Sequence, residues 1–172
     1  MSNNEARGSQ DGNVKKIGQL IGDIDFAMLT TVDERGEMQS RPMQTQRVEF
    51  DGDLYFFTYD NSAKARHIRA NPRVNLGYSR PDKQTYLSLA GQAELLHDRA
   101  KMEQAWQPPL KAWFPDGLDT PGIALLKVSP TGAEYWDAPT SPVAHAISFV
   151  KGQILGRPEM PGDNETLQLP KS

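Results

Sequence analysis

Short segments of apolar, aromatic and β-branched residues recur along this chain, and residues typical of turns separate them. They lie at 26–32, 37–50, 54–59, 73–79, 85–96, 123–130 and 132–137. Helical patterns do not alternate with these segments, so the βαβ rhythm of a parallel sheet is missing. The sequence therefore predicts a mainly β fold, a six- or seven-stranded antiparallel β-barrel with flanking helices.

Turn and break residues indicate how these strands connect. Asp51-Gly52 is a strong hairpin signal, because type I′ turns need positive φ at both centres, and it predicts that the third strand folds back on the second. Pro130-Thr131-Gly132 predicts another hairpin between the last two strands. Pro42 cannot donate to a ladder and marks an edge or a bulge, while Gly91 indicates a bulge or a close backbone approach.

Helices are predicted at the margins of the strand region. Apolar spacing predicts an amphipathic helix over 13–24, Ser62 is a good N-cap for a helix that must stop before Pro72, and Asp98 can cap another. We expect a disordered N-terminal tail at 1–12, the barrel domain at 13–138, and a C-terminal helix with a polar tail at 139–172.

The composition excludes several classes of function. The chain has no cysteine, which excludes disulfides, thiolate metal sites and cysteine nucleophiles. The N-terminus has no apolar signal segment, and no apolar run is long enough to span a bilayer. A net charge of −3 argues against general nucleic-acid binding. We therefore expect a soluble, cytoplasmic protein that binds neither membrane nor nucleic acid.

Positive charge is concentrated in one short region. Residues 60–83 hold six Lys or Arg and two Asp, a local charge of +4 that is typical of a site for a small anion. Arg41, Thr58, Ser62 and Lys64 supply a planar fork, two hydroxyls and a point charge, the groups that best hold a phosphate near a helix N-terminus. A simpler reading stays open, in which Arg41 pairs with a local carboxylate and Ser62 only caps its helix.

The other polar residues offer little chemistry. His67, His97 and His145 do not share a metal-ligand spacing, and no nucleophile motif accompanies them. The sequence thus predicts no metal site and no catalytic side chain. If the protein catalyses a reaction, a bound phosphorylated cofactor carries it.

Several segments together carry a family resemblance. They are SRPM (40–43), DGDLYFFT (51–58), SAK (62–64), NPRVNLGY (71–78), GQAELLHDR (91–99), WFPDG (113–117), AEYWD (133–137) and GDNETL (162–167). In this order and spacing, the chain resembles the general stress protein 26 group of the pyridoxamine 5′-phosphate oxidase-like, FMN-binding split-barrel family. The resemblance implies a homodimer that binds FMN at the subunit interface.

The resemblance also implies a set of cofactor-binding residues. They are Arg41, Pro42, Met43 and Gln46 beside the flavin, Phe57 and Thr58 on the next strand, Ser62, Ala63 and Lys64 at the phosphate, and Trp113 and Phe114 from the partner subunit. For the last two, a surface loop that tucks its aromatic rings onto its own core is an equally open reading. True pyridoxamine phosphate oxidases usually carry Lys where this chain has Gln46, and a C-terminal segment rich in Arg, His and Trp that is missing here. Oxidation of vitamin B6 is therefore not expected.

Three functions stay open at this point. The first is an FMN-dependent oxidoreductase that passes hydride or electrons between NAD(P)H or another small donor and an acceptor, although the chain has no Gly-rich dinucleotide motif. The second is a non-catalytic flavin-binding or flavin-sensing stress protein. The third is a split barrel for haem or a deazaflavin, in which His67 or His145 would have to ligate the haem.

Overall fold

The computed structural model describes residues 3–46, 50–137 and 163–169. Within these ranges the helices and strands are α1 (Asn3–Ile21), β1 (Phe26–Val32), β2 (Met38–Gln44), β3 (Leu54–Tyr59), α2 (Ala63–Ala70), β4 (Arg73–Arg80), β5 (Thr85–Leu96), α3 (Arg99–Ala105), β6 (Ile123–Asp137) and β7 (Asp163–Gln168). Short 3₁₀ turns lie at Pro81–Lys83, Pro108–Ala112 and Gly117–Asp119.

The strands form a single antiparallel sheet in the described part of the chain. Its order is β2-β1-β4-β5-β6-β3, and β7 adds to β6. The sheet curls into a half-barrel with helices at its margins, which confirms the predicted fold class. Because β2 and β3 stand at the two ends of this order, the gap between them is the open side of the barrel.

The predicted hairpin between the second and third strands is wrong. β2 ends at Gln44 rather than at residue 50, and β3 pairs with β6 along its whole length. Gly52 does lie at a bend, with φ of +121°, but a two-residue hairpin needs paired strands directly on both sides. In its register with β6, β3 buries both Phe56 and Phe57, one on each face.

The predicted hairpin at Pro130 is also wrong. β6 runs unbroken through Pro130 and pairs with β5 on both sides of it, and the register shift opposite Gly91 leaves Thr131 as the extra residue of a β-bulge. The close approach predicted at Gly91 is confirmed, since a Cβ there would lie 2.5 Å from the carbonyl oxygen of Ser129. A bulge accommodates proline because its missing N–H interrupts no regular ladder bond.

Helix α1 corrects the predicted N-terminal boundary. The helix begins at Asn3 and therefore takes in most of the residues at 1–12 that the sequence predicted as a disordered tail. Ile17 and Ile21 are buried in the core and anchor the helix. Once anchored, a helix extends toward its N-terminus without a new nucleation step. No helix in the described ranges is both long and apolar enough to cross a membrane.

Strand β7 corrects part of the predicted C-terminal tail. It pairs with the last part of β6, from Gly132 to Asp137, where the sequence predicted only a polar segment. Leu167 and Leu169 are buried in the main core and hold this strand in place. The predicted C-terminal helix, in SPVAHAISFVKGQIL (141–155), lies outside the described residues.

Two buried clusters lie on opposite faces of β3. The main core fills the half-barrel and includes Phe56 and Leu29. The second cluster packs beneath α3 and the following loop, and it includes Phe57 and Phe114. Because β3 packs against a cluster on each face, the last residues of the strand, including Thr58, have a fixed position at the open side of the barrel.

Candidate functional site

A pocket of about 260 Å³ lies where β2 and β3 approach each other. Most of the predicted cofactor residues line it: Pro42, Met43, Gln46, Phe57, Thr58, Lys64, Trp113 and Phe114. The sequence reasoning missed the remaining lining residues, which are Phe26, Gln44, Tyr59 and Leu110. Gln44 and Tyr59 could have been found, because each follows a predicted site residue directly in the sequence.

The other three predicted residues stand beside the Lys64 end of the pocket. Ser62 Oγ lies 3.1 Å from Thr58 Oγ1. Ala63 is the first residue of α2 and is exposed. The positive charge of Arg41 is near enough to lower the pKa of Lys64. The structure therefore brings the predicted phosphate-binding residues together.

The start of α2 adds backbone donors to this end. Ser62 caps the helix, because its Oγ accepts a hydrogen bond from the Ala65 amide at 3.3 Å. The first backbone bond of the helix runs from the Arg66 N–H to the Ser62 carbonyl at 3.1 Å, so the amides of Ala63 and Lys64 precede the helical ladder. Amides in this position, together with the helix dipole, favour an anion.

Lys64 and Arg41 make this end strongly positive. Burial, and then the charge of Arg41, lower the pKa of Lys64, and burial also lowers the pKa of Arg41. The Lys64 ammonium donates to Thr58 Oγ1 at 3.2 Å. Among the described residues, neither cation forms an ion pair with a carboxylate. The sequence had left open the reading in which Arg41 pairs with a local carboxylate, and no carboxylate among the described residues does so.

Arg41 is held instead by neutral acceptors. Its Nη1 donates to Thr31 Oγ1 at 2.6 Å and to the Leu29 carbonyl at 3.3 Å. Thr31 in turn lies 3.0 Å from His67 Nδ1. The sequence analysis did not name Thr31 and considered His67 only as a possible haem ligand. The available signal was a threonine on the otherwise apolar inward face of β1.

Aromatic residues form the wall opposite β2. The rings of Tyr59 and Phe114 pack with centroids 4.9 Å apart, and Tyr59 Oη donates to the Trp113 carbonyl at 2.8 Å. Phe114 is only 4% exposed and belongs to the core of its own chain, whereas Trp113 is 65% exposed at the rim. The reading in which the loop tucks onto its own core thus holds for Phe114 and not for Trp113.

Gln46 lines the pocket and holds a buried hydrogen-bond acceptor. The side chain is 6% exposed, and its Nε2 donates to the Gln44 carbonyl at 3.0 Å. This bond fixes the orientation of the amide, since a flipped amide would bring two acceptor oxygens together. Gln46 Oε1 is buried and has no hydrogen-bond partner among the described residues. Because buried acceptors are usually paired, this oxygen is an exception among the described residues.

The pocket has the features of a site for a phosphorylated, flat ligand. One end offers two cations, two hydroxyls and helix amides, the walls are apolar and aromatic, and Gln46 adds a polar side chain. No group of three potential metal-ligating side chains occurs in the described residues. The arrangement can bind and orient a cofactor, while its side chains supply no evident acid or base pair.

Comparison with known proteins identifies the family. The family model for pyridoxamine 5′-phosphate oxidase-like proteins matches residues 12–159. This chain belongs to that family. Family members include flavin-binding general stress proteins, so the predicted resemblance is confirmed.

Individual relatives agree with this assignment. Protein bli-3 of Neurospora crassa is 26% identical over 158 residues, which cover 86% of this chain and 76% of that protein. General stress protein 26 of Bacillus anthracis str. Sterne shares the fold with a TM-score of 0.67 and 23% identity, covering 91% of this chain and 98% of the relative. The general stress FMN/FAD binding protein of Xanthomonas citri is 25% identical with a TM-score of 0.64, covering 78% of this chain and 92% of the relative.

Proposed function

We propose that this protein binds FMN in the pocket between β2 and β3, and that the bound FMN passes hydride or electrons between NAD(P)H or another small donor and an acceptor. The observation that carries the proposal is the pair of cations Arg41 and Lys64, which stand together at a half-buried end of the pocket without a carboxylate among the described residues. An anion offsets both their mutual repulsion and the loss of hydration. The flavin-binding relative from Xanthomonas citri supports a flavin phosphate as that anion.

The phosphate binds at the start of α2. A phosphate monoester at neutral pH is close to a dianion, with three strong acceptor oxygens. Arg41 supplies a planar pair of donors, Lys64 a point charge, and Thr58 and Ser62 hydroxyls, while the amide of Ala63 adds a backbone donor. Each hydrogen bond to the charged phosphate contributes roughly 1.5–3 kcal/mol.

The residues of the ring end also fit a flavin. Pro42, Met43, Phe57 and Phe114 give the pocket apolar walls suited to a flat heteroaromatic ring. Gln46 Oε1 is a buried acceptor without a partner in the described residues, and an oxidised flavin ring carries an N–H donor at N3. Phosphate, apolar ring and ring donor thus each have a matching group on this chain.

The bound flavin supplies the redox chemistry, and this chain supplies binding and orientation. Its residues hold the phosphate, keep the ring between apolar walls and exclude water from one face. Lys64 and Tyr59 are the titratable residues among those that line the pocket, and each already has a structural partner, Thr58 or the backbone of Trp113. We therefore assign no catalytic role to a side chain.

A second copy of this chain completes the pocket in our proposal. The volume of about 260 Å³ is below the roughly 300–1,000 Å³ usual for ligand pockets. The outer face of β1 beside the pocket is apolar and exposed, with Phe26 at 55% and Met28 at 45% exposure, and Trp113 at the rim is 65% exposed. An apolar face continuous with an incomplete pocket fits a homodimer interface.

Replacement of Met28 by Glu tests the dimer. Met28 lies on the outer face of β1 but does not line the pocket, so the variant should keep its fold and become monomeric because an unpaired carboxylate would be buried at the interface. Sedimentation equilibrium gives the mass. A monomeric native protein, or a dimer that tolerates the carboxylate, contradicts the proposed interface.

A non-catalytic flavin-binding protein is the second candidate. It is favoured by one observation, namely that no carboxylate or histidine lines the pocket in the described residues. The haem alternative gains no support there, because His67 faces Thr31 instead of lining the pocket, and His145 lies outside the described residues.

The first experiment is a visible spectrum of the purified protein, repeated without oxygen after addition of NADH or NADPH. A flavin spectrum that bleaches supports the oxidoreductase, and a flavin spectrum that persists with every donor and acceptor supports the binding protein. The double variant Arg41→Ala/Lys64→Ala should lose FMN and remain folded, because both residues belong to the ligand site and not to the core. Unchanged FMN affinity in this variant contradicts the proposed phosphate site.

A further inference from the structure

A buried threonine connects Arg41 to a histidine on α2. Thr31 is 0% exposed, and its Oγ1 lies 2.6 Å from Arg41 Nη1 and 3.0 Å from His67 Nδ1. Arg41 lies on β2, Thr31 on β1 and His67 on α2. They form a chain of hydrogen bonds behind the phosphate-binding end of the pocket.

The directions of these hydrogen bonds follow from the chemistry of the groups. A guanidinium can only donate, so Thr31 Oγ1 accepts from Arg41. The hydroxyl proton of the fully buried Thr31 then needs an acceptor, and His67 Nδ1 is within reach. His67 therefore accepts at Nδ1 and carries its proton on Nε2, which is the neutral imidazole in one defined tautomer.

The same contacts determine which edge of the Arg41 guanidinium is available to bind an anion. Nη1 carries two N–H groups, and the acceptors Thr31 Oγ1 and the Leu29 carbonyl, at 2.6 and 3.3 Å, match them in number. Nε and Nη2 have no hydrogen-bond partner among the described residues. These two nitrogens form the edge of a guanidinium that binds an oxyanion through two parallel bonds.

We propose that Thr31 and His67 are positioning residues that hold Arg41 with its Nε–Nη2 edge toward the phosphate of the ligand. The inference rests on the proposed function and deepens it. His67 fixes the direction of the Thr31 hydroxyl, Thr31 anchors Nη1, and the long Arg41 side chain is thereby ordered before the anion arrives. Ordering in advance strengthens binding because less side-chain entropy is lost on association.

Measured FMN affinity of the apoprotein tests this chain of contacts. Thr31→Val removes the hydroxyl and should weaken FMN binding about tenfold, the effect of losing one hydrogen bond to a charged group, while Thr31→Ser should restore most of the affinity. Thr85→Val is the control, because Thr85 is also a buried threonine, donates to Asp137 Oδ1 at 2.7 Å, and does not line the pocket. We expect it to bind FMN as the native protein does.

A double-mutant cycle with Arg41→Ala separates positioning from a general effect on the fold. If Thr31 acts through Arg41, Thr31→Val should weaken binding in the native background and have little further effect once Arg41 is removed. Equal losses in both backgrounds, or an equal loss in Thr85→Val, overturn the inference. Should Arg41→Ala alone leave FMN affinity unchanged, the proposed phosphate site fails as well, which distinguishes the two failures.

Nitrogen-15 NMR of the histidine rings gives an independent readout. We expect the His67 signal of the folded protein at neutral pH to be that of an imidazole protonated at Nε2 only. Replacement of His67 by Phe removes the acceptor without touching Thr31, and we expect it to weaken FMN binding severalfold, with the loss confined to proteins that retain Arg41. A His67 ring protonated at Nδ1, or full affinity in His67→Phe, overturns the inference even if Thr31→Val does not fold.

Discussion

Replacement of Lys64 by Met should change stability and ligand affinity in opposite directions. Burial and the charge of Arg41 both lower the pKa of Lys64, so the free protein holds this ammonium in surroundings that disfavour it. Met has a flexible apolar side chain that can fill the same space without the charge. We expect the ligand-free Lys64→Met protein to resist unfolding at least as well as the native protein, and to bind FMN less tightly.

The size of each effect can be worked out from the contacts of Lys64. In the free protein the substitution removes one bond to Thr58 Oγ1, of 3.2 Å, and Thr58 keeps Ser62 Oγ as a partner at 3.1 Å. That loss of about 1 kcal/mol is offset by relief of desolvation and repulsion. In the complex, a charge-assisted bond worth roughly 1.5–3 kcal/mol disappears. The Kd for FMN should therefore rise about 10- to 150-fold, at 1.4 kcal/mol per factor of ten.

Two measurements on the same apoprotein check this prediction. Urea unfolding gives the free energy of unfolding without ligand, and quenching of flavin fluorescence gives the Kd. Lys111→Met is the matched control, because Lys111 is an exposed lysine on the 3₁₀ turn beside the pocket and should affect neither quantity. A Lys64→Met protein that is clearly less stable than the native protein and binds FMN normally would show that Lys64 is a structural residue.

Three further predictions follow from single contacts. FMN affinity should fall as pH rises through the lowered pKa of Lys64, since the anion prefers the protonated amine, and a Kd that stays constant up to the ordinary lysine range near pH 10 contradicts this. Gln46→Met should weaken FMN binding roughly tenfold but leave the binding of N3-methyl-FMN unchanged, because N3-methyl-FMN has no N–H at N3 and therefore no bond to Gln46 that the substitution could remove; equal losses for the two ligands count against this role. Gly91→Ala should destabilise the protein by about 2 kcal/mol in urea unfolding, because the new Cβ meets backbone at 2.5 Å, whereas Gly77→Ala, with its nearest atom at 3.9 Å, should not; equal stabilities would refute the clash.

Local signals in the sequence were sufficient for several elements. The prediction of α2 was correct because a capping residue, Ser62, and a stop before Pro72 both act within the segment itself. The prediction of β5 was correct because apolar and polar residues alternate along it. The proposed phosphate-binding residues around Lys64 could be named from the sequence because most of them belong to one continuous segment, and their role stays a prediction.

The two wrong hairpin predictions concern partners distant in the sequence. The Asp51-Gly52 signal predicts a change of chain direction, but it does not determine which strand pairs with β3. The pairing with β6 depends on two separate buried clusters, one containing Phe56 and the other Phe57. Pro130 resembles a turn residue, and only the bulge opposite Gly91 explains its place inside a strand. The role of Thr31 was missed because its partners lie on two other elements.

The open ends of the sheet have a consequence for how this protein behaves when it is concentrated. On the side away from β1, the described part of β2 has no strand partner, and unprotected edges of this kind recruit strands from other molecules and lead to aggregation. Pro42 offers no N–H to an incoming strand, and the inward-facing guanidinium of Arg41 would have to be dehydrated by it. These two residues beside the pocket therefore also disfavour the addition of a strand at the β2 edge of the open barrel.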